Sequence, residues 1–359
     1  MTLPVLGSWS LVLRPLRSLV LGPLTAMTIV AVPCAAQDAV PADPWFSTFS
    51  IVAFDPATNE LGVGVQSRAF AAGAAVPFAK PGVGAVATQA SANRSYGPKA
   101  IALLEQGLSP AEVVKRITDE DPGRDTRQVA VIDTKGRSAV YTGKRVIDRN
   151  HDPKDLVHFG GYAGHVTGRS FSVQGNTLAS EAVVKAMAEA YEGATGSMAD
   201  RLMEALDGGQ SKGGDTRGMQ SAGILVVRPL PPASESTVER IVDIRVDDAT
   251  NPFVELRRLL NITQGVPGTL TERSAQLARE GKFAEAIAEQ KKALDITPNN
   301  EQLHYALAQR YAQAGDQQHA LGALAEAVRR QSRLRAQAAD DPQFGKLKDL
   351  AEFKRLVQP

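Results

Sequence analysis

The chain has 359 residues, 40 of them Lys or Arg and 39 Asp or Glu, and 43% of the residues are hydrophobic. The formal net charge of +1 excludes the basic footprint of a dedicated nucleic-acid-binding protein, and an aromatic content of 5% argues against base-stacking platforms. The single cysteine, Cys34, excludes a disulfide framework or a thiolate metal site within one chain.

The N-terminal segment, residues 1–36, has the features of a secretory signal peptide. Arg14 and Arg17 precede an apolar run, Ser18 to Val32, and small residues follow, so we expect cleavage after Ala36. A membrane anchor is the alternative, but the run is shorter than the ~20 residues that span a bilayer. We therefore expect an exported protein, periplasmic or extracellular, with no membrane span.

The first strands are expected directly after a short leader. Residues 37–47 contain Pro41 and Pro44, which predict no regular structure there. Thr48–Asp55 is rich in β-branched and aromatic residues and predicts a strand, which pairs with Leu61–Val65 across a turn. Two further strands are expected, at Ala74–Phe78 and Val83–Thr88.

Pairs of helices then alternate with pairs of strands. Ser109 followed by Pro110 marks a helix start, because serine caps the first turn and proline fits its first position. The other predictions are a helix from Pro98, a hairpin at Gln128–Asp133 and Arg137–Thr142, a loop over 150–168, a strand at Phe171–Gln174, helices near 178–193 and 197–207, a glycine-rich loop from Gly208 to Gly218, strands near 220–228 and 239–246, and a helix near 252–262.

This order of elements predicts the fold class. Both faces of a sheet have to be covered, so paired strands alternating with paired helices favour two stacked sheets with helices outside both. We expect an α+β domain at 48–263 with a four-layer αββα sandwich, followed by a linker at 264–270.

An internal repeat follows the linker. Gly281, Ala286 and Ala293 recur 34 residues later as Gly315, Ala320 and Ala327. A 34-residue period with small residues where paired helices cross is the tetratricopeptide signature, and Leu347, Leu350, Phe353 and Leu356 predict an amphipathic closing helix. We expect an all-α tetratricopeptide domain at 271–359, which is either a groove for a protein partner or a docking and dimerisation element.

The residues that could carry chemistry form a small set. A threonine hydroxyl needs a base, and at a freed N-terminus the α-amine of Thr48 can serve. Lys80, at a predicted strand end, could stabilise developing charge. Asp215 lies in the loop Gly213-Gly-Asp-Thr-Arg-Gly-Met-Gln-Ser221, just before a predicted strand.

These residues lie in segments that resemble known families. The hairpin from Thr48 to Arg68 resembles the start of the N-terminal nucleophile hydrolases, which include proteasome β subunits. A longer resemblance, over about 48–262, is to the bacterial family called domain of unknown function 1028. It is carried by Phe49-Ser-Ile-Val-Ala, Gly82-Val-Gly-Ala-Val-Ala-Thr-Gln89, Gln174-Gly-Asn176 and Gly213 to Ala222. The resemblance implies the αββα sandwich and supplies no substrate.

The resemblance also implies roles for single residues. Thr48 matches the nucleophile, Lys80 matches the cation of the third strand, and Asp215 and Ser221 match the residues that support the terminal amine. The chain departs from proteasome precursors in having Ser47 where they have glycine. Without a cut between Ser47 and Thr48, the threonine has no free amine.

Other polar residues could line the same cleft. Asn176, at a strand-to-helix turn, suits an oxyanion donor or a helix cap, and Arg217 could pair with Asp215 or bind a substrate carboxylate. Asn93 and Tyr96 could contact substrate or cap a helix, and His165 could edge the cleft. Two further histidines lie at seven-residue intervals from His165, a spacing that disfavours a metal site: His151 and His158. We expect no metal and no cofactor.

Two functions remain open at this point. In the first, the chain is an exported hydrolase that cleaves a small amide or peptide with Thr48. In the second, it is a non-catalytic envelope protein whose sandwich binds a small ligand and whose repeats bind a partner. The sequence leaves open whether the chain forms a homo-oligomer, and the net charge disfavours a nucleic-acid partner.

Overall fold

The structure is a computed structural model and describes residues 48–151, 161–230 and 239–358, which all fall in one compact unit. The predicted signal peptide and leader lie outside these residues. Within the described ranges, no helix has the length and apolar character needed to cross a bilayer.

Two antiparallel sheets form the centre of the first domain. The six-stranded sheet contains, in spatial order, β10 (Arg240–Val246), β9 (Ser221–Val227), β2 (Glu60–Ser67), β1 (Thr48–Asp55), β8 (Phe171–Leu178) and β7 (Tyr162–Gly168). The four-stranded sheet contains β3 (Pro77–Lys80), β4 (Gly84–Ala90), β5 (Arg127–Asp133) and β6 (Ser138–Thr142).

Helices cover the outer face of each sheet. The helices of this domain are α1 (Ala72–Ala75), α2 (Tyr96–Glu105), α3 (Pro110–Asp119), α4 (Lys144–His151), α5 (Ala182–Gly193), α6 (Met198–Ser211) and α7 (Pro252–Thr263). Apolar side chains of α5, α6 and α7 share a core with the six-stranded sheet, and those of α2 and α3 share one with the four-stranded sheet. A third core lies between the sheets. The predicted αββα sandwich is therefore confirmed.

The alternation of side chains along β1 explains this layering. Successive residues of a strand point to opposite faces of the sheet, and in β1 Phe49 and Ile51 pack towards the helices while Val52 and Phe54 pack between the sheets. The predicted start of α3 is also confirmed, because the Ser109 side chain accepts a hydrogen bond from the backbone N–H of Glu112 and Pro110 occupies the first turn.

Three local predictions differ from the structure. The strand expected at Ala74–Phe78 is instead the helical turn α1 followed by β3; glycine at position 73 lets that turn pack closely on β9, since a Cβ there would lie 3.3 Å from the Cα of Gly223. The loop expected over 150–168 contains β7, which pairs with β8. Pairing with a neighbouring strand decides such a segment more than its composition does.

The third difference concerns the linker. Instead of spanning 264–270, the connection is only Gln264 and Gly265, because α8 already begins at Val266. Gly265 has a φ of 71°, a left-handed conformation that glycine adopts without strain, and Pro267 is tolerated in the first turn of a helix.

The C-terminal region is all-helical, as the repeat predicts. Its helices are α8 (Val266–Arg279), α9 (Phe283–Ile296), α10 (Glu301–Ala314), α11 (Gln317–Arg330), α12 (Leu334–Asp340) and α13 (Ala351–Val357). The repeated alanines are buried where paired helices meet. The expected closing helix is split: Leu347 ends a 3₁₀ turn and Phe353 lies on α13, and both side chains are buried against the repeats.

The repeat glycines allow a matched test of this region. Gly315 has a φ of 81°, so Gly315→Ala should destabilise the helical region by about 1 kcal/mol, because an L side chain is strained in that conformation. Gly322 lies inside α11 with open space around it, so Gly322→Ala should stabilise by roughly 0.5–1 kcal/mol. Urea unfolding followed by far-ultraviolet circular dichroism measures the change in unfolding free energy for both variants. If both changes had the same sign, the different backbone conformations assigned to the two glycines would be contradicted.

Candidate active site

The layer between the two sheets changes from apolar to polar along the strands. At one end it is filled by Val52, Phe54, Leu61, Val63, Ala85, Ile132, Leu225 and Val227. At the other end the inward-facing side chains are Thr48, Ser50, Ser67, Gln89, Gln128, Gln174, Asn176 and Ser221, none more than 2% exposed. Buried polar groups are costly unless they are hydrogen-bonded, so this concentration of them defines the candidate site.

Thr48 lies at the centre of the polar end. It pairs with Ser67 of β2, which in turn pairs with Ser221 of β9. On the other side, Phe49 pairs with Gly175 of β8, which brings Asn176 next to Thr48 in the antiparallel register. The Thr48 hydroxyl donates a hydrogen bond of 3.0 Å to the Ser67 hydroxyl. Four polar residues from adjacent strands thus form one row across the sheet: Ser221, Ser67, Thr48 and Asn176.

Buried carboxamides connect this row to the four-stranded sheet. Gln89 Nε2 donates to the backbone oxygen of Thr48 at 3.2 Å and to Gln128 Oε1 at 2.8 Å. Asn176 Nδ2 donates to the same Gln128 oxygen at 3.0 Å. The Ser50 hydroxyl donates to Gln89 Oε1 at 2.7 Å. Thr48 is therefore held through its backbone by the opposite sheet as well as through its hydroxyl by the neighbouring strand.

Asp215 lies at the edge of this site, 2% exposed. Its carboxylate accepts hydrogen bonds from the backbone N–H groups of Arg68 and Arg217 and from the Arg217 guanidinium. Burial raises the pKa of Asp215, and the hydrogen bonds and charge of Arg217 oppose that rise. Arg217 was predicted either to pair with Asp215 or to bind a substrate carboxylate, and in the structure it pairs with Asp215.

Ser221 belongs to this row of polar residues, but its hydroxyl forms hydrogen bonds with the loop after β2. It donates to the backbone oxygen of Ala69 at 2.6 Å and accepts from the backbone N–H of Ala72 at 3.0 Å. Ser221 therefore fixes the path of residues 69–72, and the hydroxyl that meets Thr48 belongs to Ser67.

Lys80 does not lie beside Thr48. It ends β3, where it pairs with Gly84 at the start of β4, whereas Gln89, which contacts Thr48, is five residues further along β4, or about 17 Å. Its ammonium forms an ion pair with Glu105 of α2, at the side of a groove of about 510 Å³ between β3, α2 and β10. The reason is topological: β3 is an edge strand of the other sheet, and it ends away from the polar end.

Asn93 and Tyr96 lie near the polar end, but their side chains form hydrogen bonds that stabilise the fold there. Asn93 Nδ2, the Tyr96 hydroxyl and Arg127 Nε all donate to one carboxylate oxygen of Asp121, at 2.9–3.1 Å. These hydrogen bonds hold the pKa of Asp121 well below its usual range, and burial raises the pKa of Tyr96. The cluster fixes the turn after β4, which carries Gln89.

His165 faces the same layer from the outer strand β7, where it pairs with Gln174. Partial burial of its ring lowers the pKa of His165. The side chain of His151 and the whole of His158 lie outside what the structure describes. Within the described part of the chain, no three His, Cys, Asp or Glu side chains are grouped so that they could hold a metal ion.

Two strained backbone positions flank the site. Thr177 follows Asn176 with a φ of 54°, and Ala90 follows Gln89 with a φ of 65°. A left-handed conformation is rare for a β-branched residue, and such strain, of about 1–3 kcal/mol, collects at functional sites. Both residues come directly after a carboxamide of the network, so the strained turns help to direct those side chains.

Sequence reasoning did not select four residues of the buried polar network around Thr48. Ser67, Gln89, Gln128 and Gln174 are all buried in strands. Ser67, Gln89 and Gln174 stand in or beside the motifs that carry the family resemblance, and Gln128 begins the predicted strand that pairs with β4. No local pattern marks them, because the partners of each side chain lie on other strands.

The Asp121 cluster gives a test of stability against pH. Because its folded-state pKa is lowered, Asp121 contributes stability above the unfolded value of about 3.9, and that contribution is lost as the pH falls towards the lower folded value. Asp121→Asn should cost about 2 kcal/mol at pH 7, since three hydrogen bonds to a charge are weakened, and progressively less below pH ~4.

Urea unfolding between pH 3 and pH 7 measures this difference. The matched control is Asp119→Asn, because Asp119 is an exposed carboxylate two residues away and its replacement should change stability little at any pH. A cost for Asp121→Asn that stayed constant down to pH 3 would contradict the role of its charge.

Comparisons with known proteins agree with this architecture. The model of a family of unknown function, DUF1028, matches residues 48–256, and a TPR repeat model matches residues 276–315. A crystal structure of protein SPO2555 from Silicibacter pomeroyi, a DUF1028 protein, is similar with a TM-score of 0.51 and 29% sequence identity, covering 60% of this chain and 88% of that chain. A search of curated proteins finds no match. The chain therefore belongs to the DUF1028 family, and it continues into a tetratricopeptide repeat.

Proposed function

We propose that the sandwich domain is a hydrolase that cleaves a small amide or peptide bond with the hydroxyl of Thr48, in the manner of the N-terminal nucleophile hydrolases. The observation that carries the proposal is the position of Thr48. It is the first residue of β1, it lies in the polar end of the inter-sheet layer, and its hydroxyl is already hydrogen-bonded to Ser67 at 3.0 Å.

The base in this mechanism is the α-amine of a chain that begins at Thr48. The amine, with an ordinary pKa of about 7.7–8.0, accepts the hydroxyl proton while Oγ1 forms a bond to the substrate carbonyl carbon. The carbon–nitrogen bond then breaks, and the leaving amine takes the proton. Water hydrolyses the resulting ester and restores the hydroxyl. A cut between Ser47 and Thr48 is therefore part of the proposal.

The position of Asp215 supports an amine at this point. Asp215 forms a bridge with Leu178 of β8, and its carboxylate accepts a hydrogen bond from the backbone N–H of Arg68, the residue after β2. Since β1 lies between β2 and β8, the carboxylate occupies the gap that opens between these strands beyond Thr48. An ammonium or amine at the head of β1 would face this buried carboxylate, which would orient it.

Asn176 is the candidate for stabilising the oxyanion. It follows Gly175, the partner of Phe49, so its amide lies in the row next to Thr48. One N–H of Nδ2 is donated to Gln128, and the amide carries a second N–H that the tetrahedral oxyanion would accept. The loss of one such donor costs about 10²–10³ in turnover in hydrolases of this general kind.

A second candidate function is binding without catalysis. It is favoured by the placement of Lys80, whose ion pair with Glu105 removes it from the neighbourhood of Thr48, and by the complete burial of the Thr48 side chain. In this case the polar end would hold a small neutral ligand. The chain would then keep its residues before Thr48.

Export and partner binding complete the proposal. The N-terminal sequence supports export to the periplasm or the medium, and the tetratricopeptide region supports an interaction with another protein. Recovery of the protein from a periplasmic fraction or the medium, with at least residues 1–36 removed, tests the first of these points.

The decisive experiment combines the N-terminal sequence with covalent labelling. A protein that starts at Thr48 should be acylated by a β-lactone probe at the threonine hydroxyl, with a rate that rises with pH through about 7–8 as the amine loses its proton. Thr48→Ser should keep the label and Thr48→Ala should lose it, as intact mass and peptide mapping show.

The control is Thr167→Ala, which removes a threonine hydroxyl from the outer strand β7 and should leave labelling unchanged. A protein that starts at Gln37 and carries no label at Thr48 would contradict the hydrolase and favour the binding function.

A further inference from the structure

The carboxamide network has one member whose orientation decides that of the others. Gln128 Nε2 lies 3.0 Å from the backbone oxygen of Gly175 and 3.5 Å from that of Gly164. A carbonyl oxygen only accepts hydrogen bonds, so this end of the Gln128 amide has to be the nitrogen. Its Oε1 therefore faces the other way, towards Gln89 and Asn176.

The orientation of Gln128 fixes its two neighbours. Gln128 Oε1 accepts from Gln89 Nε2 at 2.8 Å and from Asn176 Nδ2 at 3.0 Å, so both residues turn their nitrogens towards it. Gln89 Nε2 then also reaches the backbone oxygen of Thr48 at 3.2 Å. An amide flipped at position 128 would set two nitrogens against each other at both contacts, and two oxygens at Gly175.

We infer that Gln128 is the positioning residue of this site, which acts through Asn176 and Gln89 and does not itself touch the substrate. It is completely buried, on β5 of the four-stranded sheet, and it spans the gap to β8 of the other sheet. Through Asn176 it directs an N–H towards the reacting carbonyl, and through Gln89 it holds the backbone of the nucleophile. This inference rests on the proposed hydrolytic function of Thr48.

A glutamate at position 128 provides the test. The carboxylate form has two acceptors and no donor, so it loses the hydrogen bond to Gly175 and sets an oxygen against that carbonyl, while the Thr142 hydroxyl can turn to donate to the carboxylate. The protonated form has one O–H donor and one carbonyl acceptor, which reproduces the orientation of the glutamine. Burial favours the protonated form and raises the pKa of such a group.

The measured quantity is the rate of β-lactone labelling of Gln128→Glu divided by that of the wild type, from pH 5 to pH 9. We expect the ratio to fall by about 10²-fold at high pH, as misplacement of reacting groups by about 1 Å does, and to rise towards one as the pH is lowered. The ionisable groups on the packed elements are Arg127 with Asp121, Tyr141 and His165. Both proteins contain them and the Thr48 amine, so the ratio removes their titration.

Two further variants separate positioning from stability. Gln128→Met has a similar shape and buries no charge, so it should label slowly at every pH, without recovery in acid. Gln290→Glu is the matched control, because Gln290 is a completely buried glutamine that donates to a backbone oxygen, that of Leu303, in the helical region. It should label like the wild type wherever it is folded, as circular dichroism at the same pH shows.

The outcomes distinguish this inference from the proposed function. A wild-type protein that labels at Thr48, together with a folded Gln128→Glu whose ratio stays near one at every pH, would overturn the positioning role and leave the hydrolase intact. A folded variant whose ratio is low at every pH would overturn it too. A wild-type protein without label at Thr48 would overturn both. A ratio that recovers in acid, with Gln128→Met slow throughout, supports the inference.

Discussion

The constraint on which the rest of this structure depends is that polar side chains buried between two sheets have to satisfy one another. Gly175, Ala87 and Thr48 each present a backbone oxygen to a buried carboxamide, at 2.9–3.2 Å. Each oxygen accepts only, so each amide has one allowed orientation. The network is therefore compatible with one alignment of the two sheets, whereas the apolar contacts at the opposite end tolerate small shifts. We infer that the apolar end of the inter-sheet layer holds the two sheets together and that the polar end fixes their alignment.

This division explains which parts of the site the sequence could predict. Sequence motifs selected Thr48, Asn176 and Asp215. These residues lie close together in the structure because β1, β8 and the loop before β9 belong to one sheet. Lys80 was predicted to lie beside them and does not, because its strand belongs to the other sheet and ends away from Thr48. The order of strands in a sheet cannot be predicted from local sequence pattern. The amides on β4 and β5 were missed for a related reason: a buried glutamine in a strand has no local signature until its partner across the layer is known.

The same argument applies to the fold. The order of elements predicted the sandwich, and the 34-residue recurrence of small residues predicted the repeat, because both depend on periodicity along the chain. The extent of the linker and the strand β7 were decided by tertiary contacts. The loop region that contains β7 carries four glycines, Gly160, Gly161, Gly164 and Gly168, which lower its apparent strand propensity. Hydrogen bonds to β8 make it a strand nevertheless.

The helical region is connected to the site through the side of β1 that faces away from the polar layer. Phe49, the residue after Thr48, packs edge-to-face on Phe253 of α7, with ring centroids 6.5 Å apart. Five residues further along α7, the Arg258 guanidinium contacts the repeats by donating to the backbone oxygen of Ile296 at the end of α9. A strand with the nucleophile candidate on one face and this aromatic contact on the other cannot shift at one surface without disturbing the second. The position of Thr48 is thus constrained by the amides of the inner layer and by the packing that leads to the repeats.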